Sequence, residues 1–356
     1  MVHQDTGDVE EVSPGCWILK LPLPFPVEFV NCYLIQDGGE ACLVDCGLHT
    51  SKALAHFQAA LKMIGVLPGN ISTIVVTHYH PDHFGMAGTI QSMTGARVIM
   101  SSLEYEVLSH SWYNAGSRDD QAISRMLEQS GMPRSLVARL QVQRARLGSH
   151  IDPVQEIATV DEGDTIGVGG RRFQVILTPG HSPGHLCLFE AETGLFWVGD
   201  HLLPRITPNI GLFSFSNPQP LGSYLASLEK VNGLPVKLAL PSHGEPFEDV
   251  PTRVKDLILH HERRLSTLLS LMTRRAVTPY TLSQKLFGKD LSEQAKRFAL
   301  AETLAHLEHL VAGGEAEKVQ DNGLVRYRSV VPNQRRQPSV TRDDSVDTSP
   351  EIKEEH

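Results

Sequence analysis

The stretch His78-Tyr79-His80-Pro81-Asp82-His83 places three histidines and one aspartate within six positions. Imidazole and carboxylate groups suit zinc and, less exclusively, iron or manganese. In an extended segment, side chains at i and i+2 share a face, so His78 and His80 can grip one ion. Pro81 turns the chain and sends Asp82 and His83 toward a second. A polar loop can also collect histidines by chance, but this spacing is demanding and other parts of the chain answer to it.

The elements that must hold this turn are legible around it. Ile71-Ser72-Thr73-Ile74-Val75-Val76 is β-branched and apolar and predicts a buried strand; Gly85 to Met93 predicts a helix. The cluster then sits on a strand-to-helix turn at a sheet end, where α/β folds place chemistry. The pattern recurs along the chain. Ala41-Cys42-Leu43-Val44 closes on Asp45, and Phe173 to Leu177 runs into His181 and His185. Leu195 to Val198 ends at Gly199-Asp200-His201, and Leu238 to Pro241 leads to Ser242-His243-Gly244. Each time a short apolar strand ends in His or Asp beside glycine or proline, and glycine permits tight turns and close backbone approach.

Helices are expected from Ser51, as N-cap, to Ile64, with Leu54, Phe57, Leu61 and Ile64 on one face, and from about Thr252 to Arg274. Beyond Pro279, two helices (Thr281 to Phe287, Gln294 to Ala312) and a hairpin around Asn322-Gly323 read as a small winged-helix module. Two stretches stand apart. Leu21 to Val27, with Phe25, is too proline-rich for a central strand and reads as a loop or an apolar flap over a pocket. Residues 103–148, with Trp112 and Tyr113, read as a helical insertion. It is either a surface excursion or a cap that shapes substrate choice.

Composition excludes several classes. The 356 residues are 41% hydrophobic and 21% charged, which suits a globular chain with a real core and room for a second, small domain. A net charge of -9 does not suggest a nucleic-acid or anionic-membrane footprint. The 5 cysteines form no C-x-x-C pair, which fits a reduced, cytoplasmic setting. The N-terminus has no signal-peptide pattern, and no apolar run approaches a membrane span.

Taken together, His78 to His83, then His181, Asp200 and His243, with Asp45 before them, resemble the metallo-β-lactamase superfamily of hydrolases. Five motifs in order carry the likeness over residues 12–250. The resemblance implies an α+β fold, a four-layer αββα sandwich with metals at one edge. Residues 1–250 would form the hydrolase domain, with 103–148 as its cap insertion. Residues 251–331 would form the winged-helix-like domain and 332–356 a disordered tail. It also implies two zinc ions, with iron or manganese as substitutes. His78, His80 and His181 would hold the first, Asp82, His83 and His243 the second, and Asp200 would bridge them. Asp45 and His185 would brace the ligand loops. A water shared by two cations loses a proton near neutral pH, and Asp82 would orient it or relay its proton. Phe25, Trp112, Tyr113 and His201 are the candidates for the substrate pocket.

Departures narrow the choice. Common zinc lactamases often carry cysteine where this chain has Asp200. Too few residues separate Asp200 from His243 for the clamping insertion of RNA-processing members. Flavodiiron proteins have glutamate in place of His80. What remains resembles glyoxalase II-like thioesterases and β-lactamase-like hydrolases with a C-terminal winged helix, one of which is an endoribonuclease. The expected activity is hydrolysis of a small acyl compound, a thioester first. The alternatives are a metal-dependent endoribonuclease or phosphodiesterase, and a lactonase. Acidic and basic residues balance across 279–330. The module is therefore expected to pack or to make homodimer contacts rather than grip nucleic acid.

Overall fold

The computed structural model describes residues 8–113, 118–213 and 217–330. The expected tail at 332–356 lies outside them. Two mixed sheets carry the fold. Val9–Ser13 (β1), Cys16–Pro22 (β2), Phe29–Asp37 (β3), Glu40–Val44 (β4), Ile71–Val75 (β5), Arg97–Ser101 (β6) and Ile157–Val160 (β7) lie side by side in chain order. The first four are antiparallel and β4 to β7 are parallel. The second sheet runs Leu238–Pro241 (β12), Leu195–Gly199 (β11), Leu186–Glu190 (β10), Arg171–Leu177 (β9), Thr165–Val168 (β8).

Parallel neighbours need crossovers. Ser51–Ile64 (α1) joins β4 to β5, and Pro81–Phe84 (α2) with Ala87–Thr94 (α3) joins β5 to β6. Ser102–Leu108 (α4), Arg118–Gln129 (α5) and Arg134–Gly148 (α6) lie between β6 and β7, so the insertion is itself a crossover. Pro220–Asn232 (α7) joins β11 to the parallel β12. Val250–Leu271 (α8), Pro279–Phe287 (α9) and Glu293–Ala312 (α10) follow, then the hairpin Ala316–Asp321 (β13) and Leu324–Ser329 (β14).

The central strands β3, β4, β6, β10, β11 and β12 are buried on both faces, which is why they read as continuous apolar runs. Ile18, Tyr33, Ile35 and Val75 of one sheet meet Phe173, Val175, Leu188 and Trp197 of the other. Leu19, Leu43 and Ile74 face the opposite way, onto Phe57 and Leu61 of α1. Phe196 and Val198 pack outward onto Tyr224 and Leu228 of α7 and Val254 and Leu257 of α8. This is the four-layer αββα arrangement.

Several helix boundaries differ from expectation: α9 starts at Pro279, α10 at Glu293, and the helix expected from Gly85 to Met93 is the short α2 followed by α3. Thr50, not Ser51, caps α1: it is extended, and its hydroxyl accepts from the Ala53 N–H. Asp249 caps α8 by accepting from the Thr252 N–H, so that helix starts earlier, and it ends at Leu271 before an extended Met272. The hairpin turns as expected: Asn322 and Gly323 both take positive φ, as a two-residue turn of this hand requires. Among the described residues, no helix is long and apolar enough to cross a membrane, and all five cysteines are buried free thiols.

The insertion does not stand alone. Ile123 and Leu127 of α5 and Leu136, Val137 and Leu140 of α6 share one apolar cluster with Leu268, Leu300, Leu304 and Tyr327. Crossover and C-terminal helices therefore form one packing unit.

Within that unit, His261 on α8 and His306 on α10 are fully buried, with Nδ1 and Nε2 3.1 Å apart. Burial drives His306 down to about 3 and His261 well below its usual value. A histidine depressed on folding contributes stability above its unfolded pKa, and that contribution is lost as pH falls toward the folded one. The window here runs from the ordinary 6.5 down to about 3. Each such group adds a slope of up to about 1.4 kcal/mol per pH unit. In urea unfolding, the stability gap between wild type and His306→Leu is expected to narrow, or reverse, between pH 7 and pH 4. A gap independent of pH would show that His306 titrates normally.

Candidate metal centre

Loops leaving β5, β9, β11 and β12 converge at one edge of the sandwich. They bring together His78, His80, Asp82 and His83, then His181, Asp200 and His243. His78, His80 and His181 form one group whose ligand atoms lie within 4.8 Å of one another; Asp82, His83 and His243 form another, and Asp200 joins His78 and His83 in a third. His80 Nδ1 is 2.9 Å from His78 Nε2 and 3.0 Å from His181 Nε2. Asp82 Oδ2 is 3.5 Å from His243 Nε2 and 3.7 Å from His83 Nε2. Asp200 faces both sides, with Oδ2 3.3 Å from His181 Nε2 and 3.6 Å from His83 Nε2, and Oδ1 3.7 Å from His243 Nε2.

Each of four rings has its other nitrogen tied down, which leaves Nε2 facing inward. His78 Nδ1 pairs with the Thr77 hydroxyl at 2.9 Å, and His83 Nδ1 with Asp45 Oδ2 at 2.8 Å. His181 Nδ1 donates to the Asn209 carbonyl and His243 Nδ1 to the Phe29 carbonyl, both at 3.0 Å. Such outer contacts set tautomer and ring direction in metal sites.

Electrostatics agree with a cation between these groups. Burial, then neighbouring imidazoles, holds His78 well below its usual pKa and His80 down at about 3, so both stay neutral as ligands must. Burial would raise Asp82 and Asp200, yet the histidines beside them hold both carboxyls well below the usual range. Burial would lower His83, but Asp200, Asp82 and Asp45 push it up. His83 Nε2 and Asp200 Oδ1 are buried without a hydrogen-bond partner. Native proteins rarely leave such atoms orphaned, and an ion between them supplies the missing partner. The donor set therefore fits divalent metal.

Asp45 occupies a strained position, φ 61, which aspartate tolerates better than most residues. Its carboxylate accepts from the Thr77 N–H at 2.8 Å and from the Ser242 hydroxyl at 3.3 Å, besides holding His83. His185 is buried; Nδ1 pairs with the Thr178 hydroxyl, and Nε2 accepts from the Asp200 N–H at 3.1 Å. Gly199 makes that approach possible. Its φ is +52, and a Cβ there would lie 2.5 Å from His185 Nε2.

Sequence reading missed Glu104, the first acid of the insertion. It is fully buried and accepts from the Tyr79 N–H at 2.8 Å, the Ser182 hydroxyl at 2.7 Å and the Gly184 N–H at 2.6 Å. It thus ties the His78–His83 loop to the His181 loop. Burial lifts its carboxyl to about 7 against the pull of those donors. A single acid after a strand leaves no periodic signal to find it by. Asn209 was missed for the same reason. Its amide reaches Glu302 on α10 at 3.3 Å, which links the C-terminal helices to the carbonyl that orients His181.

The pocket candidates are placed unevenly. A cleft beside the first metal group is lined by Tyr79, Pro179, His181, Pro183, Phe213 and Pro220. Phe25 lies on the exposed loop after β2, whose far end carries Phe29, the partner of His243. Trp112 turns into the core cluster behind β6, over Gly148, with the Arg144 guanidinium 4.3 Å from its ring. Tyr113 packs edge-on against Phe84, and its hydroxyl accepts from the Val154 N–H. His201 is buried beneath Asp200, against His185 and Tyr224. None of these four lines that cleft.

A family model described as the metallo-beta-lactamase superfamily matches residues 25–243, and one described as the metallo-beta-lactamase-like C-terminal domain matches 265–330. The chain is 24% identical over 325 residues to a probable metallo-hydrolase of Bacillus subtilis, across 88% of this chain and 97% of that protein. It is 33% identical over 248 residues to a lactamase-like protein of Trichophyton rubrum, across 69% of this chain and 59% of that protein. The match thus spans little over half the length of that fungal relative. A solved structure of a metallo-beta-lactamase family protein from Thermus thermophilus superposes with a TM-score of 0.81 at 33% identity, covering 90% of this chain and 100% of that one.

Two outcomes follow for metal content. Gently purified, zinc-supplied protein is expected to approach two equivalents by elemental analysis, and Asp200→Ala to fall toward one with its fold retained; unchanged content in the variant would make Asp200 a bystander. In Glu104→Gln, one of three donors loses its acceptor, a cost of about 1–3 kcal/mol. Zinc should then be lost to a competing chelator at lower chelator concentration than in wild type, and equal retention would reduce Glu104 to plain packing.

Proposed function

The chain belongs to the metallo-β-lactamase superfamily and is a metal-dependent hydrolase; from that premise we propose that it uses two zinc ions to hydrolyse small acyl compounds, thioesters above all. The observation that carries this reading is the cleft at the first metal group. It is lined by the rings of Tyr79, Phe213, Pro179, Pro183 and Pro220 together with His181, Ser182 and Asn217. Those rings offer an acyl chain apolar contact beside the metal group, and the polar groups among them offer points of orientation.

When bound, the metals supply a water that ionises near neutral pH and a polarised carbonyl. The chain's own groups then divide the remaining work. Asp82 is the most exposed of the cluster's carboxylates, at 21%, against 9% for Asp200 and 1% for Asp45. It is therefore the acid best placed to orient the attacking water. His83 and His243 hold it anionic, so it is a weak proton donor. A thiol with a pKa of about 8.5 leaves readily as thiolate, whereas an amine must gain a proton to leave. That asymmetry supports a thioester over an amide or lactam.

The hairpin of the C-terminal domain gives nucleic acid little to hold. Lys318 pairs with Glu308, Arg328 with Glu317 and Arg326 with Asp321, so these cations are already engaged. Zinc-loaded protein should be assayed in parallel on glutathione and coenzyme A thioesters, lactones and short RNAs. Thioesters are expected to show the highest kcat/KM. Faster RNA cleavage, with a KM that climbs steeply with salt, would replace this reading with a nuclease.

A further inference from the structure

Part of the cleft wall is a loop that the C-terminal domain holds in place. The Leu212 N–H donates to the Ala301 carbonyl at 2.9 Å, which stitches the loop carrying Phe213 onto α10. One turn earlier on α10 is Arg297. Its guanidinium lies 5.6 Å from the centre of the Phe213 ring and 4.5 Å from that of Phe298. Phe213 lines the cleft together with Tyr79 and His181, and the Tyr79 ring is 4.8 Å from that of His80. Arg297 thus packs against one ring of the wall that leads to the first metal group, without lining the cleft itself.

Among the described residues, no carboxylate pairs with this guanidinium. Glu293, one helical turn away, is held by Arg139 at 2.5 Å and Gln143 at 3.0 Å. Asp120 is held by Arg144 at 2.8 Å. Burial, then the charge of Arg144, pushes Arg297 down to about 10, which still leaves it cationic at neutral pH. A guanidinium cannot shed its charge, and leaving one partly buried without an acid is costly. Arginine is also the side chain best shaped to take a carboxylate or phosphate by two parallel bonds. The chain as a whole is acidic, at -9, so a local cation here is not part of a general basic surface.

We propose that Arg297 is a specificity-determining residue that binds an anionic group, carboxylate or phosphate, on the carrier end of the substrate while the acyl end enters the cleft. This rests on the thioester reading and narrows it to thioesters of anionic thiols.

The test uses non-hydrolysable thioethers of one alkyl chain: S-hexylglutathione, S-hexyl-coenzyme A, and the neutral S-hexyl-N-acetylcysteamine. Each is titrated by calorimetry into the zinc-loaded full chain. Wild type should prefer an anionic member over the neutral one, and the stronger of the two identifies carboxylate or phosphate. In Arg297→Gln that preference should fall roughly 10- to 100-fold, the loss of a charge-assisted pair. Arg297→Lys keeps the charge without the fork and should retain part of it, which also serves if the glutamine variant does not fold. Equal binding of all three by wild type, or an unaltered preference in Arg297→Gln, would overturn the proposal. Turnover separates the two ideas. Arg297-dependent anion binding without thioester hydrolysis would sink the thioester reading and leave the anion site standing. Hydrolysis with an unaltered preference would do the reverse.

Discussion

Asp45 joins the ligand loops of the metal edge. Its backbone is held at φ 61, so the carboxylate swings beneath the loops that leave β5 and β12. From there it accepts hydrogen bonds from Thr77 and Ser242 and anchors His83. Strained conformations persist only where their surroundings over-determine them, and they gather at functional sites. Here the strain places a buried acceptor where backbone and imidazole donors of two loops meet. The direction of His83 Nε2, and with it the second metal group, depends on that acceptor.

Glu104 does the corresponding work for the first group. It collects the Tyr79 and Gly184 N–H groups and the Ser182 hydroxyl, so the loops bearing His78, His80 and His181 share one buried acceptor. Loops at a sheet edge carry many backbone groups without ladder partners. Two carboxylates, each reached by several donors, satisfy those groups and fix the loops at once.

The C-terminal helices take part in the same edge. Leu268, Leu300 and Leu304 pack with the insertion's α5 and α6, Glu302 reaches the Asn209 side chain, and α10 carries the loop of Phe213. Two segments far apart in the chain thus pack together, and one of them holds the loop that lines the cleft. The orientation of His181 passes through Asn209 to a helix of the C-terminal domain. The domain matched at 265–330 is therefore continuous with the site through hydrogen bonds and packing.

The strand ends, the ligand candidates they carry and the hairpin at Asn322-Gly323 were legible in the sequence. Their signals are local: an apolar run marks a strand buried on both faces, His-x-His marks a shared face, and Asn-Gly marks a tight turn. Local chemistry was less decisive one residue away, where Thr50 rather than Ser51 took the cap because its backbone is the extended one. What only the tertiary structure decided depends on partners distant in the chain. Glu104 meets Gly184 across 80 residues and Asn209 meets Glu302 across 93. Trp112 packs against the core cluster, with Arg144 over its ring and Gly148 beside it, both more than thirty residues on. A residue type has no periodicity that announces such contacts. Burial and hydrogen-bond satisfaction select them once the chain has closed on itself.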